Sequence, residues 1–422
     1  MLASSRPSAA ADGDLDLTFG GTGKVITDFG GSISSEGWSV ATQGDGKIVV
    51  AGHSRQGSTP NFALARYNID GSLDANFGGS GKVTTSLGDG SSVGYSLAVQ
   101  TDGKLVVAGL ARVGGNIDFA VARYNTNGSL DPSFNGNGTV TTGVSSQNTE
   151  DSASSVALQS DGKIVVVGYV VTSTDQNGSP RSDLAMVRYN ANGSLDTTFN
   201  GTGKVIKDFG SVGDIGRSVA IQSDGKILVA GSFGLARFDS DGGLDLSFNS
   251  TGTSPGVNSP GSELRALALQ NDGNIVVVSD YYVFRYNADG SYETGFSWDG
   301  SLNFLNRSVA LQGDGKIVVA GATASNSSAD DFVLTRYDAD GSVDTTFNGT
   351  GRVITAVGLN QDFARSVAVS ADGEIVVAGY AANVSNSKTD FAVVRYVATP
   401  EPTSAVLVLG GAAILALRRR RI

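Results

Sequence analysis

The sequence predicts an all-β protein: a seven-bladed β-propeller of four-stranded antiparallel blades, closed by pairing of its N- and C-terminal strands, with a short C-terminal hydrophobic helix. Three observations predict this fold. Two phrases alternate along the 422 residues, and one of them occurs seven times. The 58 glycines indicate frequent turns. Hydrophobic residues make up 40% of the chain, which is enough for a packed core rather than a disordered chain.

The first phrase, SVALQSDGKIVVVG from Ser155, predicts the two inner strands of each blade. An alternation of apolar and polar residues makes the first strand. The Asp-Gly pair supplies the positive φ of a tight hairpin turn, and the β-branched run from Ile164 to Val167 makes the second strand. The other copies begin at Ser39, Ser96, Ser218, Ala266, Ser308 and Ser366. Their Asp-Gly pairs lie 42 to 63 residues apart, which defines seven units.

The second phrase, RYNANGSLDTTFNGTGKV at residues 188–205, predicts the outer half of a blade. A third strand, such as Leu184 to Tyr189, ends in Arg-Tyr. An Asn-Gly or Asp-Gly turn follows, and then a short fourth strand such as Lys204 to Lys207. Continuous apolar runs indicate that both faces of each sheet are covered. Seven such sheets, each packed between two neighbours, are typical of a propeller.

The two ends of the repeat array predict a closed ring. The chain begins with a lone fourth strand, Lys24 to Asp28, and its repeats stop after a third strand, Phe391 to Tyr396. These two pieces together complete one blade. The alternative is an open, solenoid-like array, which would leave two strand edges exposed to aggregation.

Composition and charge exclude several classes of function. The chain has no cysteine, which excludes thiol catalysis and Cys-ligated zinc, and a single histidine, which excludes any mechanism that needs a histidine pair. The formal charge is -11, and since the last 22 residues contribute +3, the body carries -14. Such a body repels nucleic acid phosphates and anionic lipid. We therefore predict no nucleic acid partner.

The two phrases resemble the bacterial delta-60 repeat over Asp12 to Tyr396. Both phrases recur in order in most units, and units four and five are shorter and more divergent. The resemblance implies an architecture rather than an activity, since that family has no established common reaction.

The C-terminal segment, residues 399–422, resembles a PEP-CTERM sorting signal. Its motif residues are Pro400, Glu401, Pro402, Arg418, Arg419, Arg420 and Arg421. Residues 403–417 are uncharged and as a helix would cover about 22 Å, less than the roughly 30 Å of a bilayer core. The resemblance implies an exosortase partner, transient anchoring in the inner membrane and a Gram-negative envelope or extracellular location. An ordinary C-terminal anchor or a frayed apolar tail is the alternative.

These patterns divide the chain into five parts. Residues 1–11 are the remnant of an export signal or disordered, residues 12–396 form the propeller, and residues 397–402 are a linker with the Pro-Glu-Pro motif. Residues 403–417 form the hydrophobic membrane segment, and residues 418–422 are a basic tail. The first 11 residues lack the apolar core of a signal peptide. We therefore expect the true signal upstream of Met1, and an in-frame stop codon with no earlier start would contradict this.

An arginine precedes an aromatic residue in every unit, at Arg66, Arg123, Arg188, Arg237, Arg285, Arg336 and Arg395. Such a row could bind an anionic sugar or a sulfate in a central channel. The alternative is that each arginine pairs with a carboxylate of its own blade, such as Asp74 for Arg66 and Asp196 for Arg188. We favour the second interpretation, because a feature of every blade is scaffold.

Two turns have some likeness to a calcium loop, namely Asp338, Asp340 and Asp344, and Asp239, Asp241 and Asp245. An EF-hand-type loop requires more oxygen ligands and a distal glutamate. Asp and Asn before Gly are also the residues that tight turns use. We therefore predict structural turns and no cofactor, with calcium as the alternative.

Residues that differ between units are the candidates for a binding surface. The connection between the second and third strands is longest in unit three (Tyr169 to Asp183) and shortest in units four and five. Unit five carries Tyr281 and Tyr282 there. Trp298 departs from the usual Asn-Gly passage, so it is either a ligand-stacking residue or, as we favour, an interblade packing residue. The lone His53 is interpreted as a surface residue rather than a catalytic base.

The sequence thus predicts an exported binding or structural module whose partners are a polysaccharide or a protein. An extracellular carbohydrate-active enzyme, a hydrolase or lyase with Asp/Glu chemistry on the axis, is the second interpretation, and a solenoid-like adhesin is the third.

Overall fold

Seven antiparallel sheets form a closed ring in the computed structural model. The structure describes residues 10–30, 34–145, 150–174, 179–254, 263–296, 304–324, 330–382 and 388–398. Each innermost strand contacts the innermost strands of both neighbouring blades, so these strands surround a central channel. The predicted seven-bladed β-propeller is therefore confirmed.

The strands follow the chain order of the repeats. Blades one to three contain β2 (Ser35–Thr42), β3 (Ile48–Gln56), β4 (Thr59–Tyr67), β5 (Lys82–Thr85), β6 (Ser92–Val99), β7 (Leu105–Val113), β8 (Asn116–Tyr124), β9 (Thr139–Thr142), β10 (Asp151–Leu158), β11 (Ile164–Thr174), β12 (Pro180–Tyr189) and β13 (Lys204–Lys207). Blades four to seven contain β14 (Gly216–Ile221), β15 (Ile227–Gly231), β16 (Gly234–Phe238), β17 (Thr253–Ser254), β18 (Leu264–Leu269), β19 (Ile275–Ser279), β20 (Val283–Tyr286), β21 (Phe304–Leu311), β22 (Ile317–Thr323), β23 (Phe332–Tyr337), β24 (Arg352–Thr355), β25 (Asp362–Val369), β26 (Ile375–Ala382), β27 (Thr389–Tyr396) and, from the N-terminus, β1 (Lys24–Thr27).

Short 3-10 turns occupy Phe199–Gly201, Phe248–Ser250 and Phe347–Gly349. Blade five contains three strands in the described part of the chain, and residues 297–303, after its third strand, lie outside that part. The other six blades have the predicted four strands.

The N-terminal segment closes the ring as the truncated repeats predict. Strand β1 pairs antiparallel with β27, with Lys24 opposite Val394 and Thr27 opposite Phe391. Asp16 also accepts a hydrogen bond from Arg395 Nε at 2.7 Å, the pairing that other blades make within a single repeat. The first and last segments of the repeat array therefore share one sheet, in which β1 covers the edge of β27.

A circle of serine hydroxyls joins the innermost strands. The serine that opens the first repeated phrase accepts a hydrogen bond from a backbone N–H of the next blade. Six such bonds of 3.1 to 3.3 Å are made by Ser39, Ser96, Ser155, Ser218, Ser308 and Ser366. Unit five has Ala266 at this position, so the junction between blades five and six lacks the bond. The serine of the repeated Ser-Val-Ala phrase thus links neighbouring blades.

The second repeated phrase also joins neighbouring blades. Its phenylalanine is buried against the turn glycine of the next blade: a Cβ on Gly193 would lie 2.9 Å from a ring carbon of Phe134. Gly193 has φ of +85°, which an L side chain rarely adopts. Glycine is therefore required there both by the backbone conformation and by the approach of the neighbouring ring.

Two predictions about local structure are wrong. The unit-three connection from Tyr169 to Asp183 is largely strand, because β11 runs to Thr174 and β12 begins at Pro180. Its apolar residues continue the hairpin beyond the length seen in other units. His53 lies within β3 and is only 7% exposed, so it is not a surface residue.

The described residues include no helix that is long and apolar enough to cross a membrane. The predicted hydrophobic segment, residues 403–417, and the basic tail lie outside the described residues.

Candidate functional site

The arginine of the Arg-Tyr pair, which is Arg-Phe in unit four, is a structural residue in all seven blades. Its Nε donates to a carboxylate of its own blade at 2.5 to 2.8 Å, and the predicted pairs of Arg66 with Asp74 and Arg188 with Asp196 are confirmed. The guanidinium also stacks on the phenylalanine of the second phrase, with 4.5 to 4.9 Å between Cζ and the ring centroid. These arginines are therefore committed to the scaffold.

The two calcium-like turns use their carboxylates for internal bonds. Asp340 Oδ1 accepts bonds from the Ser342 backbone N–H and hydroxyl at 2.9 and 2.7 Å. Asp344 pairs with Arg336 and Lys316, and Asp245 pairs with Arg237 and Lys226. These contacts support the structural interpretation of the turns.

One trio of carboxylates converges in the described part of the chain. Oxygens of Asp183, Asp208 and Asp214 lie within 4.8 Å of one another. Asp214, which is fully buried, accepts bonds from the Phe209 N–H and the Ser211 hydroxyl, both at 2.5 Å. The protein itself therefore supplies hydrogen-bond donors to the buried member of this trio.

A β-bulge in every innermost strand directs one side chain to the channel. The pairing between the first and second strands slips by one residue immediately before the Ser-Val-Ala phrase. The residues at the slip all line one central cavity: Trp38, Tyr95, Ser154, Arg217, Arg265, Arg307 and Arg365. Leu110, Ser152 and Tyr169 complete its lining, and its volume is about 410 Å³. Bulges commonly re-aim side chains in this way.

The bulge explains the glycine that ends the repeated Val-Val-Ala-Gly run. A Cβ on Gly52 would lie 1.9 Å from the carbonyl oxygen of Glu36, and one on Gly379 would lie 1.8 Å from that of Phe363. No side chain fits at such a distance in these two blades, whereas blade five keeps the bulge with Ser279 at the equivalent position. Glycine therefore permits the bulge, and the bulge presents the channel residue.

Four consecutive units contribute arginine to the channel, and two acids hold three of these arginines. Arg265 makes a two-pronged pair with Asp280, with Nε–Oδ1 of 2.9 Å and Nη2–Oδ2 of 3.0 Å. Arg307 contacts the same carboxylate from the next blade. Glu263 lies 3.1 Å from Arg217 and 2.6 Å from Arg265. Asp280 is the first residue of the short connection between β19 and β20.

Arg365 differs from the other three arginines. No carboxylate of the described residues lies within ion-pair distance of it, although Glu36 is near enough to affect its charge. Its guanidinium stacks on Trp38 at 4.2 Å and on Phe363 at 4.8 Å, measured from Cζ to the ring centroids. Tyr95 packs edge-on against Trp38, with centroids 5.1 Å apart. Arg365 is thus fixed in place by aromatic rings and by a hydrogen bond to Tyr380 rather than by an acid.

Hydrogen-bond donors in the cavity lining outnumber the acceptors available to them. The buried polar side-chain atoms of the lining that lack a partner are all N–H donors: Trp38 Nε1 and the Nε of Arg217, Arg307 and Arg365. A buried donor without an acceptor costs free energy, about 1–3 kcal/mol each. An acceptor-rich ligand or water would relieve this cost.

The pKa shifts agree with a cationic cavity. Burial, with a smaller contribution from Arg307, lowers the pKa of Arg365, and the nearby Tyr380 and Glu36 oppose this. Burial raises the pKa of Glu36 and of Tyr380. Burial alone would raise the pKa of Asp280, but hydrogen bonds and charge from Arg265 and Arg307 outweigh it and lower that pKa.

Neither of the two predicted binding-face residues that the structure describes lines this cavity. Tyr281 is exposed and Tyr282 packs on Phe284, next to Asp280. Trp298 and the sorting motif, residues 400–402 and 418–421, lie outside the described residues. The uneven connections are real, because the outer hairpin of blade three has strands of 11 and 10 residues against 5 and 5 in blade four.

Sequence reasoning missed the four channel arginines, and a signal for them was present. The residue before the Ser-Val-Ala phrase changes from Trp, Tyr and Ser in units one to three to Arg in units four to seven. At this position of an otherwise regular phrase, the side chain changes from uncharged to positively charged between units. The strand that carries the bulge has no sequence signature of it, and the repeated glycine lies on the partner strand.

Comparison with solved structures shows the fold. The chain is similar to a catalytically inactive virginiamycin B lyase from Staphylococcus aureus with quinupristin, at 9% identity and a TM-score of 0.50, covering 88% of this chain and 98% of that one. It is also similar to Sqt1 from Chaetomium thermophilum, at 11% identity and a TM-score of 0.45, covering 87% and 96% of the two chains. No curated protein matches the chain by sequence.

A family model described as a β-propeller domain of unknown function, DUF5122, matches all seven units. The matched residues are 43–77, 100–134, 159–199, 222–248, 270–296, 312–347 and 370–398, more than half of the chain. They contain the hairpin turn of the first phrase and much of the second phrase. The protein therefore belongs to the DUF5122 β-propeller family.

Proposed function

We propose that the protein is an exported, non-enzymatic binding module of the cell envelope or extracellular matrix, and that its channel holds a negatively charged segment of a polysaccharide. The observation that carries the proposal is the set of four arginines in consecutive blades, three with an Nε–H that has no acceptor. An anionic group supplies hydrogen-bond acceptors for those N–H donors. Arginine also suits such recognition because its planar fork matches acidic groups.

The charge of the rest of the chain supports a small or end-on ligand. The body carries a charge of -14, so an extended polyanion is repelled over most of the surface. The cavity volume of about 410 Å³ falls within the range of small-molecule sites, about 300–1,000 Å³. A short acidic segment that enters the channel meets the arginines and avoids the acidic surface.

The chemistry of the cavity favours binding over carbohydrate cleavage. A glycoside hydrolase requires two carboxyl groups in complementary roles. Here Glu263 and Asp280 are both engaged by arginines. Burial raises the pKa of Tyr95, Tyr169 and Tyr380, which disfavours the phenolate that a lyase base needs.

A binding assay with the full chain tests the proposal. Polygalacturonate is the acidic probe and dextran the neutral one, with retardation of the protein measured by affinity gel electrophoresis at low and moderate salt. We expect retardation by the acidic polymer only, weakened by salt. The Arg217→Gln/Arg307→Gln variant should lose most of the effect, whereas Arg112→Gln, at an exposed position near the end of β7, should keep it. Unchanged binding by the double variant would refute the proposal.

Export is the second part of the proposal, and it is supported by the sorting motif alone. Expression in a Gram-negative host with an exosortase, followed by fractionation, tests it. The full chain, preceded by a signal peptide of the host, should lose its C-terminal segment and leave the inner membrane, and the same chain with Glu401→Ala should remain unprocessed. Equal processing of both chains would contradict this part without affecting the binding part.

A further inference from the structure

The channel has two unlike sides at the same level. Blades four to seven contribute the cationic arc: Arg217, Arg265, Arg307 and Arg365. Blades two and three contribute an uncharged arc that carries hydroxyl groups: Tyr95, Ser152, Ser154 and Tyr169. Trp38 of blade one lies between the two arcs. A ligand that fills the cavity therefore meets positive charge on one side and hydroxyl groups on the other.

Asp280 shows how an arginine of the cationic arc binds a carboxylate. Asp280 binds Arg265 in the plane of the guanidinium, one carboxylate oxygen on Nε and the other on Nη2. This is the two-pronged geometry that arginine forms with carboxylates. Arg265 is consequently occupied, and Arg307 shares the same acid.

The equivalent donor edge of Arg365 has no carboxylate. Its Nε–H lacks a partner, and its face is fixed on the Trp38 ring. Trp38 Nε1, a second donor without a partner, belongs to the same stack. A flat acceptor with two oxygens, held in the plane of the guanidinium, complements this edge.

The hydroxyl arc complements the rest of a sugar. Ser152 and Ser154 offer hydroxyl groups that both donate and accept, as sugar hydroxyls do. Tyr95 and Tyr169 add aromatic surface of the kind that packs on a pyranose ring. A phosphate or sulfate without a sugar body would leave this side of the cavity unused.

We infer that the unit recognised in the channel is a uronic acid, a pyranose ring bearing a carboxylate, with its carboxylate on Arg365 and its hydroxyl groups toward Ser152 and Tyr169. This inference rests on the proposed function and specifies its ligand. Arg365 is the specificity-determining residue. Arg265 and Arg307, already paired with Asp280, set the positive potential of the cavity.

Calorimetric titration of the full chain with trigalacturonic acid tests the inference. The matched comparator is the fully methyl-esterified trisaccharide, which keeps the sugar body and loses the charge. We expect the ester to bind roughly ten- to a hundredfold more weakly, as for loss of a charge-assisted hydrogen-bond pair. Acetate and inorganic sulfate at the same concentration should bind far more weakly than the acid trisaccharide.

Three variants assign the contact. Arg365→Gln should weaken the acid trisaccharide roughly tenfold or more and leave the ester unaffected, and Arg365→Lys should restore part of the loss. Trp38→Phe keeps the stacking ring but removes the indole N–H, and should cost a few fold. Arg112→Gln, outside the cavity, should change nothing.

The outcomes separate this inference from the proposed function. If polygalacturonate binds in an arginine-dependent way but the acid and its ester bind equally, or sulfate competes as well as the acid, the uronate assignment is wrong and the binding function stands. If no acidic polymer is retarded at all, both fail. Should Arg365→Gln not fold, the comparison of acid and ester on the unaltered protein still decides.

Discussion

The propeller contains two sets of arginines, and the two sets differ in how completely the protein supplies their hydrogen-bond partners. The Arg-Tyr arginines, present in every blade, each meet an acid, an aromatic face and, in six blades, a carbonyl of the next blade. The channel arginines, present in four blades, share two paired acids and leave three Nε donors without an acceptor. The same residue type is therefore scaffold in one place and a candidate ligand site in the other.

The comparison shows that repetition alone does not identify function. A residue repeated in all units has partners that are repeated too, so its bonds are complete within the fold. A residue that differs between units cannot rely on a repeated partner. Its unfilled hydrogen-bonding capacity is then the physical evidence for a ligand.

The largest expected effect is on the scaffold set. Arg188→Met keeps a long side chain on Phe199 but leaves Asp196 buried without its main partner, and Lys163 at 3.6 Å only partly replaces it. We expect a loss of about 3 kcal/mol in the free energy of unfolding, measured by urea denaturation. A loss below 0.5 kcal/mol, similar to that of the exposed control Arg112→Met, would contradict the scaffold role.

Carboxylates also differ in whether the fold supplies them with partners, and this difference predicts how stability depends on pH. Asp131, in the scaffold set, has its pKa lowered to about 2: hydrogen bonds from Ser133 and Lys104 and the charge of Arg123 outweigh the effect of burial. Burial first, and then the charge of Asp118, raise the pKa of Asp151 to about 6. The folded protein then binds a proton more tightly than the unfolded chain, so this contribution to stability falls as pH rises from 4 to 6 and stays lost above 6.

The Asp151→Asn variant isolates that contribution. Asparagine can still accept the Val144 N–H bond, which is 2.5 Å in the parent. Relative to the parent, the free energy of unfolding of the variant should be higher by about 2 to 3 kcal/mol at pH 7 and little changed at pH 4. Thermal unfolding across that pH range measures the difference, and parallel curves for the two proteins would exclude the assigned pKa.

A smaller effect is expected where the scaffold lacks a bond. Ala266→Ser restores the serine circle, since Ser218 and Ser308 in the same position each accept an interblade N–H bond. We expect the free energy of unfolding to rise by about 1 kcal/mol, measured by thermal unfolding. The matched control, Ser218→Ala, should lose a similar amount, and a loss in both variants would show that blade five packs too tightly for a hydroxyl.

The smallest effect on stability is expected at the channel. Arg365→Gln removes no ion pair, because no carboxylate of the described residues lies within ion-pair distance, and it relieves an unpaired buried donor. Its free energy of unfolding should therefore change by about 1 kcal/mol or less in either direction. A loss as large as that of Arg188→Met would place Arg365 in the scaffold and remove the distinction between the two sets.

Much of the fold could be predicted because its causes are local or repeated. Asp-Gly pairs mark the hairpins, and in six units an acid eight residues after the arginine makes the ion pair. Lys24 to Thr27 completes the last blade as expected, and Asp16 supplies the acid for Arg395 there. The errors concern context. His53 is interior because β3 extends past it, and the predicted loop of unit three is strand because its apolar residues lengthen the hairpin.

The sequence by itself determined the number of blades and the structural role of the Arg-Tyr arginines, because both follow from short-range spacing that recurs along the repeats. It also determined the closure of the ring, because the incomplete repeats at the two ends complement each other. Only the tertiary structure decided which residues meet on the axis. Arg217, Arg265, Arg307 and Arg365 are 42 to 58 residues apart along the chain, and a one-residue slip in strand pairing turns all four to a common cavity. That slip depends on how two strands pair, and single-strand patterns do not encode it.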